Sequence, residues 1–387
     1  MVKYGFLAQQ AYDTLRTKDI NLDEFRQQDH NTGLAQYFRA EASKDLLELC
    51  KALGYDLYGD GLKIYTTIDS RMQAYAEDAM DSAMQRIQNK FDSLLKIEGR
   101  DLWIDNRGRE IENFFEENAV PRSVAYRNLV RRYGKESDSV DYYMNRPKKM
   151  TVFSWGGDID TVLSSRDSIR YYKQFLQSGF LATEPKTGAI KAWVGGINFQ
   201  HFKYDHVRYG KRQPGSLFKP FVYATAVEQG YSPCYTFKDE AVAIPTGNGD
   251  EVWSPSNSEG RFSGEEMTLK LAMARSVNSI TARVMEIVKP NKVVDMAKRL
   301  GIKSTIPPYY SIALGTEDVS LFELLGAYGT FANKGTHIEP YYISRIEDKY
   351  GNEIYRHVPR KSKAINEDVA YVMLNMLQET VKSGSGQ

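Results

Sequence analysis

Apolar residues recur at helical spacing over residues 70–96. Because side chains three and four positions apart share one face of a helix, this spacing predicts an amphipathic helix with a single buried stripe. The stripe consists of Met72, Ala76, Ala79, Met80 and Met84. Thr67 and Asp69 are both suitable caps for its first turn. The preceding run, residues 62–67, is predicted to be a strand.

Similar patterns organise other parts of the chain. Residues 1 to about 60 have a helical, polar pattern, and further helices are expected from Ser165 or Asp167 to about residue 178 and over residues 368–381. Alternating residues flank Lys186-Thr187-Gly188 on both sides. They predict a β-hairpin with this tripeptide at its turn.

Residues 212–230 combine a turn with an apolar helix. Pro214-Gly215 is a turn signal, and the dense apolar run that follows ends at Gly230, a residue typical of helix ends. Pro220 lacks an N–H and clashes with the carbonyl four residues back, so it is tolerated only near a helix start. The helix is therefore expected to begin close to Ser216.

Ser216 and Lys219 are the first candidates for chemistry. Side chains three positions apart on a helix are neighbours, so the hydroxyl and the amine can form a nucleophile and its base. The helix dipole would stabilise an alkoxide at Ser216 or an oxyanion held by its N–H. Burial beside Phe218 would lower the pKa of Lys219 and favour the neutral amine. The simpler interpretation is an N-cap serine followed by a solvated lysine.

Ser276-Val277-Asn278 adds a hydroxyl and a carboxamide two residues apart. Such a pair can relay a proton to a leaving group and hydrogen bond a substrate amide. The alternative is that Ser276 or Asn278 merely caps a helix that runs to Val288.

Taken together, these segments resemble the transpeptidase domain of class A penicillin-binding proteins, and they occur in that family's order. The matching segments are Arg212-Gln-Pro-Gly-Ser216-Leu-Phe-Lys219-Pro220, Trp253-Ser-Pro-Ser-Asn257, Ser276-Val-Asn278, Ile312-Ala-Leu-Gly-Thr316, and Ala327-Tyr328 with Phe331-Ala-Asn-Lys-Gly335. The resemblance extends from about Asp60 to the end and is weakest over residues 100–150. Several motifs in order are far more specific than S-x-x-K alone.

The resemblance implies a mechanism. Ser216 would attack the D-Ala-D-Ala carbonyl of a peptidoglycan stem peptide, and the amine of a neighbouring strand would resolve the acyl-enzyme into a cross-link. Lys219 would be the acylation base, Ser276 would pass a proton towards the leaving amine, and Asn278 would hold the substrate backbone. β-Lactams would acylate Ser216 as substrate mimics.

The resemblance also implies partners and a location. The partners would be stem peptides and the lipid II-derived glycan that carries them. The place would be the bacterial cell envelope, on the periplasmic side of the inner membrane, to which members of the family are anchored.

The family's third element, Lys-Thr/Ser-Gly on a strand that lines the cleft, is expected to be missing. Lys186-Thr187-Gly188 precedes Ser216 and is predicted to be a hairpin turn. Lys382-Ser383-Gly384 follows a helical run and is predicted to be a loop, because no strand pattern precedes the lysine. We therefore expect a sheet that lacks its last strands.

The motifs suggest a division of the chain. The expected parts are a remnant of a preceding glycosyltransferase domain (1–18), a helical linker (19–61), the start of the transpeptidase domain (62–100), a charged helical insertion (101–164) and a transpeptidase core without its last strands (165–387). The chain is thus expected to lack glycosyltransferase chemistry.

Composition excludes several classes of function. The 51 Lys and Arg residues are balanced by 50 Asp and Glu residues and are interspersed with them, which disfavours nucleic-acid binding. No apolar run approaches the roughly 20 residues needed to span a bilayer. The histidines lack metal-binding spacing, and Cys50 and Cys234 are expected to be buried thiols, so neither a metal nor another cofactor is expected.

We therefore expect an α/β (α+β) fold of the penicillin-binding transpeptidase or serine β-lactamase type. Helices would cover both faces of a largely antiparallel sheet, with Ser216 at a buried helix N-terminus. The expected function is D,D-transpeptidation. Two alternatives remain: a carboxypeptidase or β-lactam hydrolase in which water replaces the amine, and a non-catalytic binding fragment.

Overall fold

The structure, a computed structural model, describes residues 2–18, 32–98, 111, 113–246 and 252–386. The α-helices of this part of the chain are α1 (Gln9–Arg16), α2 (Gln36–Leu53), α3 (Ser70–Glu98), α4 (Val124–Tyr133), α5 (Asp138–Asn145), α6 (Ser165–Lys173), α7 (Lys219–Glu228), α8 (Leu269–Ala274), α9 (Asn278–Val288), α10 (Pro290–Arg299), α11 (Leu321–Ala332) and α12 (Glu367–Ser383). Shorter helical turns lie at Val2–Tyr4, Phe115–Ala119, Gly215–Phe218 and Tyr310–Leu314.

The strands are short. They are β1 (Lys63–Thr66), β2 (Lys148–Val152), β3 (Ile159–Leu163), β4 (Phe180–Thr183), β5 (Ile190–Val194), β6 (Lys211–Arg212), β7 (Thr236–Lys238), β8 (Ile244–Pro245), β9 (Val252–Trp253), β10 (Glu266–Thr268), β11 (Val319–Ser320), β12 (Thr336–Ile338), β13 (Ile343–Glu347), β14 (Glu353–Arg356) and β15 (Lys361–Lys363). All the named strand pairs are antiparallel, with β1, β13 and β14 forming one sheet and the others pairing in twos.

Local sequence signals account for several of these elements. Helix α3 begins where predicted, because the Asp69 carboxylate accepts hydrogen bonds from the N–H groups of Arg71 and Met72. The hairpin β4–β5 pairs Leu181 with Trp193 and turns through residues 186–188, as expected. Both predictions are confirmed.

Two apolar cores organise the chain around the candidate site. The larger one lies between α7, α8, α9, α10, α11 and α12, and its fully buried residues include Phe221, Ile280 and Met373. The second packs one face of α2 against β5 and β13, with Trp193 and Ile346 at its centre. Helix α7 therefore starts at the edge of the larger core and runs into it.

Some expectations from the sequence are wrong. Helix α6 ends at Lys173 rather than near residue 178, because the buried Gln88 of α3 binds the carbonyl of Gln174 and the N–H of Leu176 and holds that backbone out of the helix. Cys234 is exposed, whereas Cys50 is buried as expected.

The end of α12 also differs from the prediction. Lys382 and Ser383 belong to the helix and not to a loop, and the chain turns only at Gly384. A Cβ atom at Gly384 would lie 2.2 Å from the Ala274 carbonyl oxygen, and Ser385 donates its N–H to the same oxygen. The end of α12 is therefore held against the end of α8.

The segment 101–164, expected to be a helical insertion, contains more than helices. Its described residues include the hairpin β2–β3 as well as α4 and α5. Residues 99–110 and 112 lie outside the described part, as do 19–31 of the expected linker and His30 within them. The domain boundaries stay predictions.

Candidate active site

The turn that carries Ser216 is held by main-chain contacts. Gly215 donates its N–H to the Gly315 carbonyl oxygen at 3.2 Å. Gly315 has a φ of +69°, and a Cβ atom there would lie 2.2 Å from the Gly215 carbonyl oxygen. Only glycine fits this approach. The side chain of Tyr328 completes the support by donating its hydroxyl hydrogen to the Leu217 carbonyl at 2.7 Å.

The turn leads directly into α7. Gly215–Phe218 forms a 3-10 turn, and Pro220 occupies the first turn of α7, where its missing N–H costs no hydrogen bond. Ser216 itself is exposed, which corrects the expectation of a buried position, whereas the chain is buried from Phe218 onwards. The hydroxyl thus faces solvent at the entrance of a buried helix.

Lys219 is a buried amine, with 1% of its surface exposed. Its Nζ donates to three acceptors: the Ser276 carbonyl oxygen at 2.6 Å, Ser276 Oγ at 2.9 Å and Asn278 Oδ1 at 2.7 Å. All three acceptors are neutral. Burial lowers the pKa of Lys219 to about 8, because a charged amine loses hydration that these groups only partly replace.

Ser216 and Lys219 are connected through Ser276. Ser276 Oγ lies 3.0 Å from Ser216 Oγ and 2.9 Å from Lys219 Nζ. Among the contacts of the described residues there is no direct hydrogen bond between Ser216 and Lys219, although helical spacing allowed one. The amine turns instead towards the Ser276–Asn278 segment, which offers it three acceptors.

Ser276 adopts a strained backbone conformation, with a φ of +57°. It lies between the end of α8 and the start of α9, and this conformation directs both its carbonyl oxygen and its hydroxyl at Lys219. A non-glycine residue in this region costs on the order of 1–3 kcal/mol and is often found at functional sites.

The alternative in which Ser276 or Asn278 caps α9 is wrong. Val277 occupies the cap position and provides no side-chain hydrogen bond. The first turn of α9 is capped from a distant loop, because Asn257 Oδ1 accepts the N–H groups of Asn278 at 3.0 Å and Ser279 at 3.1 Å. The hydroxyl of Ser276 and the carboxamide of Asn278 therefore remain available to Lys219.

Sequence reasoning missed Asp239. This carboxylate is 3% exposed and accepts hydrogen bonds from Asn257, Ser263 and Ser279. No local pattern distinguishes it, since its partners lie 18 to 40 residues away. Asn257 could be singled out from the sequence, because it is the last residue of the family-like segment that begins at Trp253.

A cleft of about 460 Å³ opens beside Ser276. Its lining includes Asp239, Asn257 and Ser276, together with the guanidinium groups of Arg261 and Arg275. Of the Ser216–Ser276–Lys219 relay, only Ser276 belongs to this lining.

Comparison with known families identifies the scaffold. Residues 178–387 match the penicillin binding protein transpeptidase domain, and residues 98–176 match the penicillin-binding protein middle domain. The chain belongs to the penicillin-binding protein transpeptidase family. The resemblance predicted from the motifs is confirmed, and so is the fold of helices and antiparallel sheets.

Individual relatives agree with the family. Penicillin-binding protein 1A of Rickettsia bellii is 28% identical over 386 residues, which cover 95% of this chain and 47% of that protein. Penicillin-binding protein 1A of Pseudomonas aeruginosa is 28% identical over 382 residues, covering 93% and 46%. Penicillin-binding protein 2D of Bacillus subtilis is 31% identical over 264 residues, covering 68% and 37%. The chain spans about half the length or less of these curated relatives.

Solved structures show the same fold. The crystal structure of penicillin-binding protein 1A from Haemophilus influenzae superposes with a TM-score of 0.64 at 19% identity, over 100% of this chain and 63% of that one. PonA1 from Mycobacterium tuberculosis, solved in complex with penicillin V, gives a TM-score of 0.51 at 19% identity, over 87% and 69%.

Neither candidate for the family's Lys-Thr/Ser-Gly element lies on a strand in this penicillin-binding protein chain. Lys186 is exposed in the β4–β5 turn, and Lys382 is in the last turn of α12. Over the described ranges, no helix is both long and apolar enough to cross a bilayer, and no cluster of His, Cys, Asp and Glu is arranged to hold a metal ion.

Proposed function

We propose that this chain is the D,D-transpeptidase module of a peptidoglycan synthase and that it works through an acyl-enzyme on Ser216. The observation that carries the proposal is the relay from Ser216 through Ser276 to the buried amine of Lys219. Serine hydroxyls become effective nucleophiles when a neighbouring base accepts their proton.

The relay suits both protonation states of Lys219. A charged amine has three N–H groups, and it finds three acceptors in Ser276 and Asn278. A neutral amine keeps two of these bonds and offers its lone pair to the Ser276 hydroxyl, whose oxygen then accepts the Ser216 hydroxyl hydrogen. With a pKa of about 8, Lys219 populates both states near neutral pH.

Acylation follows from this arrangement. Ser216 Oγ bonds to the carbonyl carbon of the penultimate D-alanine, while its proton passes through Ser276 to Lys219. The negative oxygen that forms is stabilised by the Ser216 N–H, which among the described residues has no backbone acceptor outside its own turn. The C–N bond then breaks, and the relay returns the proton to the departing D-alanine amine.

Transfer repeats these steps in reverse with a second amine. The acceptor amine attacks the acyl carbon and gives a proton to the relay, and Ser216 leaves with its own proton restored. Asn278 supports both stages: its Oδ1 accepts from Lys219 and its Nδ2 donates to the Ser256 carbonyl at 2.9 Å, which leaves one N–H for a substrate carbonyl.

Asp239 is not free to activate water for hydrolysis. A β-lactamase-type reaction needs a base for water, and both oxygens of this buried carboxylate are occupied by hydrogen-bond donors. By family, the substrates are stem peptides on glycan strands, β-lactams are the inhibitors, and the reaction takes place at the periplasmic face of the inner membrane.

A fluorescent penicillin tests the proposal. The label is expected on the tryptic peptide that contains Ser216, and Ser216→Ala is expected to abolish it. Lys186→Ala in the β4–β5 turn is the matched control and should label at the wild-type rate. Label on another residue, or label retained by Ser216→Ala, would refute the assignment. A D-Ala-D-Ala peptide mixed with an acceptor amine then separates cross-linked product from the free acid that a hydrolase would release.

A further inference from the structure

Asp239 follows β7 and is almost completely buried, with 3% exposure. Its Oδ1 accepts hydrogen bonds from Ser279 Oγ and from Asn257 Nδ2 at 2.8 Å, and its Oδ2 accepts from the N–H and hydroxyl of Ser263, both at 2.8 Å. Burial raises the pKa of Asp239, but the donors Ser279, Ser263 and Asn257 outweigh burial and hold it below the ordinary value. Among the described residues, Asp239 is therefore a buried carboxylate without a hydrogen-bonded cation.

The carboxylate is the charged one of two acceptors that orient the Asn257 amide, whose NH₂ group also donates to the Arg261 carbonyl oxygen at 3.2 Å. A charged carboxylate only accepts hydrogen bonds, so Asn257 must present its NH₂ group to Asp239. The carbonyl oxygen of that amide then faces α9, where it accepts the N–H groups of Asn278 and Ser279. The flipped amide would place its oxygen against the carboxylate and its NH₂ group against two N–H donors.

The same loop also holds the Asn278 side chain. Asn278 Nδ2 donates to the carbonyl of Ser256, the residue next to Asn257, and this leaves Asn278 Oδ1 towards Lys219 at 2.7 Å. A continuous set of hydrogen bonds thus leads from Asp239 through Asn257 to the amine that serves Ser216.

We infer that Asp239 is a positioning residue for the Ser216 reaction, because its carboxylate orients Asn257 and thereby fixes the Asn278 oxygen that binds Lys219. The inference rests on the proposed function and extends it to a residue that touches neither the substrate nor the reacting atoms.

Charged groups around Asp239 do not provide the same restraint. The cleft beside it carries Arg261, which pairs with Glu259 at 3.4 Å, and Arg275, which pairs with Glu265 at 3.8 Å. None of these four side chains is hydrogen bonded to the Asn257 amide within the described residues.

Within the described part of the chain, no other titratable group near Lys219 competes with this effect. Burial is the only cause of its lowered pKa. Tyr223 of α7 and Tyr328 of α11 have pKa values that burial raises, so both stay neutral over the pH range of an assay. On α8 and α10, Lys270 pairs with Glu379 and Arg299 pairs with Glu228 at 3.0 and 2.6 Å.

The test is the rate of acylation of the full chain by a fluorescent penicillin between pH 6 and 10. Asp239→Asn replaces the charge-assisted hydrogen bond that Asn257 donates with a weaker neutral one, so Asn257 holds the start of α9 less firmly. We expect acylation to slow by about 10²-fold, the effect of a small displacement at a reacting centre. The midpoint of the pH–rate profile should move to lower pH, because Lys219 loses an acceptor that stabilises its charged form.

Two further variants separate positioning from folding. Ser263→Ala removes the hydroxyl donor to Oδ2 and leaves the main-chain N–H donor in place, so it should lower the melting temperature and leave the pH–rate midpoint unchanged. The double variant Asp239→Asn with Asn257→Asp exchanges the two side chains, so that the amide at position 239 donates to the carboxylate at position 257. That carboxylate also lies at the start of α9, where it is favoured by the helix dipole, so the double variant should recover most of the lost acylation rate.

The outcomes are distinct. A wild-type rate and midpoint in Asp239→Asn would overturn the inference, as would an equal midpoint shift in Ser263→Ala. Should Asp239→Asn not fold, Asn257→Ala breaks the same connection, and a wild-type midpoint there would also overturn it. Failure of the unaltered chain to label at Ser216 would instead refute the proposed function.

Discussion

Two clusters of polar side chains in the described part of this molecule surround a positively charged group in opposite ways. In the site cluster (Ser216, Lys219, Ser276 and Asn278), the amine of Lys219 has neutral acceptors only. In the junction cluster (Glu41, Asp45, Arg208 and Tyr342), a guanidinium group joins α2 to the chain after β5 and meets carboxylates.

The junction cluster is built to keep its charge. Arg208 donates to both oxygens of Asp45, at 2.7 and 2.9 Å, and its Nε lies 3.9 Å from Glu41. The hydrogen bonds that Arg208 donates to Asp45 are the largest cause of its raised pKa, so this group stays charged at every relevant pH. The lowered pKa of Lys219 is the contrast. A nearby carboxylate keeps a cation charged, whereas its absence leaves a buried amine that can release and accept a proton.

The largest expected effect is on Lys219. Lys219→Ala should slow acylation by about 10²–10⁴, the range for losing a general base. Lys219→Arg is the sharper variant, because arginine keeps the positive charge and cannot become neutral. We expect it to fail equally in stopped-flow acylation. Rapid acylation by Lys219→Arg would show that the amine provides charge and not a base, and the two clusters would then work alike.

The next effect is on the junction cluster. Asp45→Ala leaves Arg208 without its bidentate partner and should lower the free energy of unfolding by about 1–2 kcal/mol. The effect is no larger because both side chains are about a third exposed, so solvent screens the ion pair. Acylation by the folded protein should not change. The control is Asp141→Ala, which removes a more exposed contact to Arg166 and should have little effect in urea unfolding. Loss of acylation in Asp45→Ala would contradict the separation of the clusters.

The smallest effect is the dependence on pH. With a pKa of about 8, Lys219 is about one-tenth neutral at pH 7, so acylation should be roughly tenfold below its plateau there and level off above pH 8.

The free energy of unfolding should depend on the same group. Between about pH 8 and 10.5 the unfolded chain still holds the Lys219 proton that the folded protein has released, so the free energy of unfolding rises with pH.

Below pH 8 the cost of burying the charged amine is fully present. Urea unfolding at several pH values measures the rise, and Lys219→Met should remove it. A rise that persists in Lys219→Met would assign it to another group. Arg208 does not titrate in this window and should contribute nothing.

The sequence predicted elements whose signals are local. Asp69 before an apolar stripe gave α3, alternation around Lys186 gave the β4–β5 hairpin, and the Ser216 and Ser276 segments were correctly matched to each other through the family. Contacts that depend on distant chain segments were not predictable. Asp239 meets Asn257, Ser263 and Ser279 only because β7 folds against the start of α9.

The relay shows the same limit at shorter range. Helical spacing correctly placed Ser216 and Lys219 on neighbouring turns, but it did not predict which groups the amine would face. The partners of the amine are set by Ser276, because its left-handed backbone conformation directs a carbonyl oxygen and a hydroxyl at Lys219. Backbone strain of this kind in a non-glycine residue has no signature in the sequence.

The contact between Gly215 and Gly315 has a consequence for how this enzyme family diversifies. Ser216 is anchored from behind by main-chain atoms, and Leu217 next to it is 56% exposed, with its carbonyl oxygen held by Tyr328. In the proposed mechanism, side chains around the turn can therefore be exchanged without moving the attacking oxygen. Residues that contact the ligand could then change while the geometry of the nucleophile stays the same.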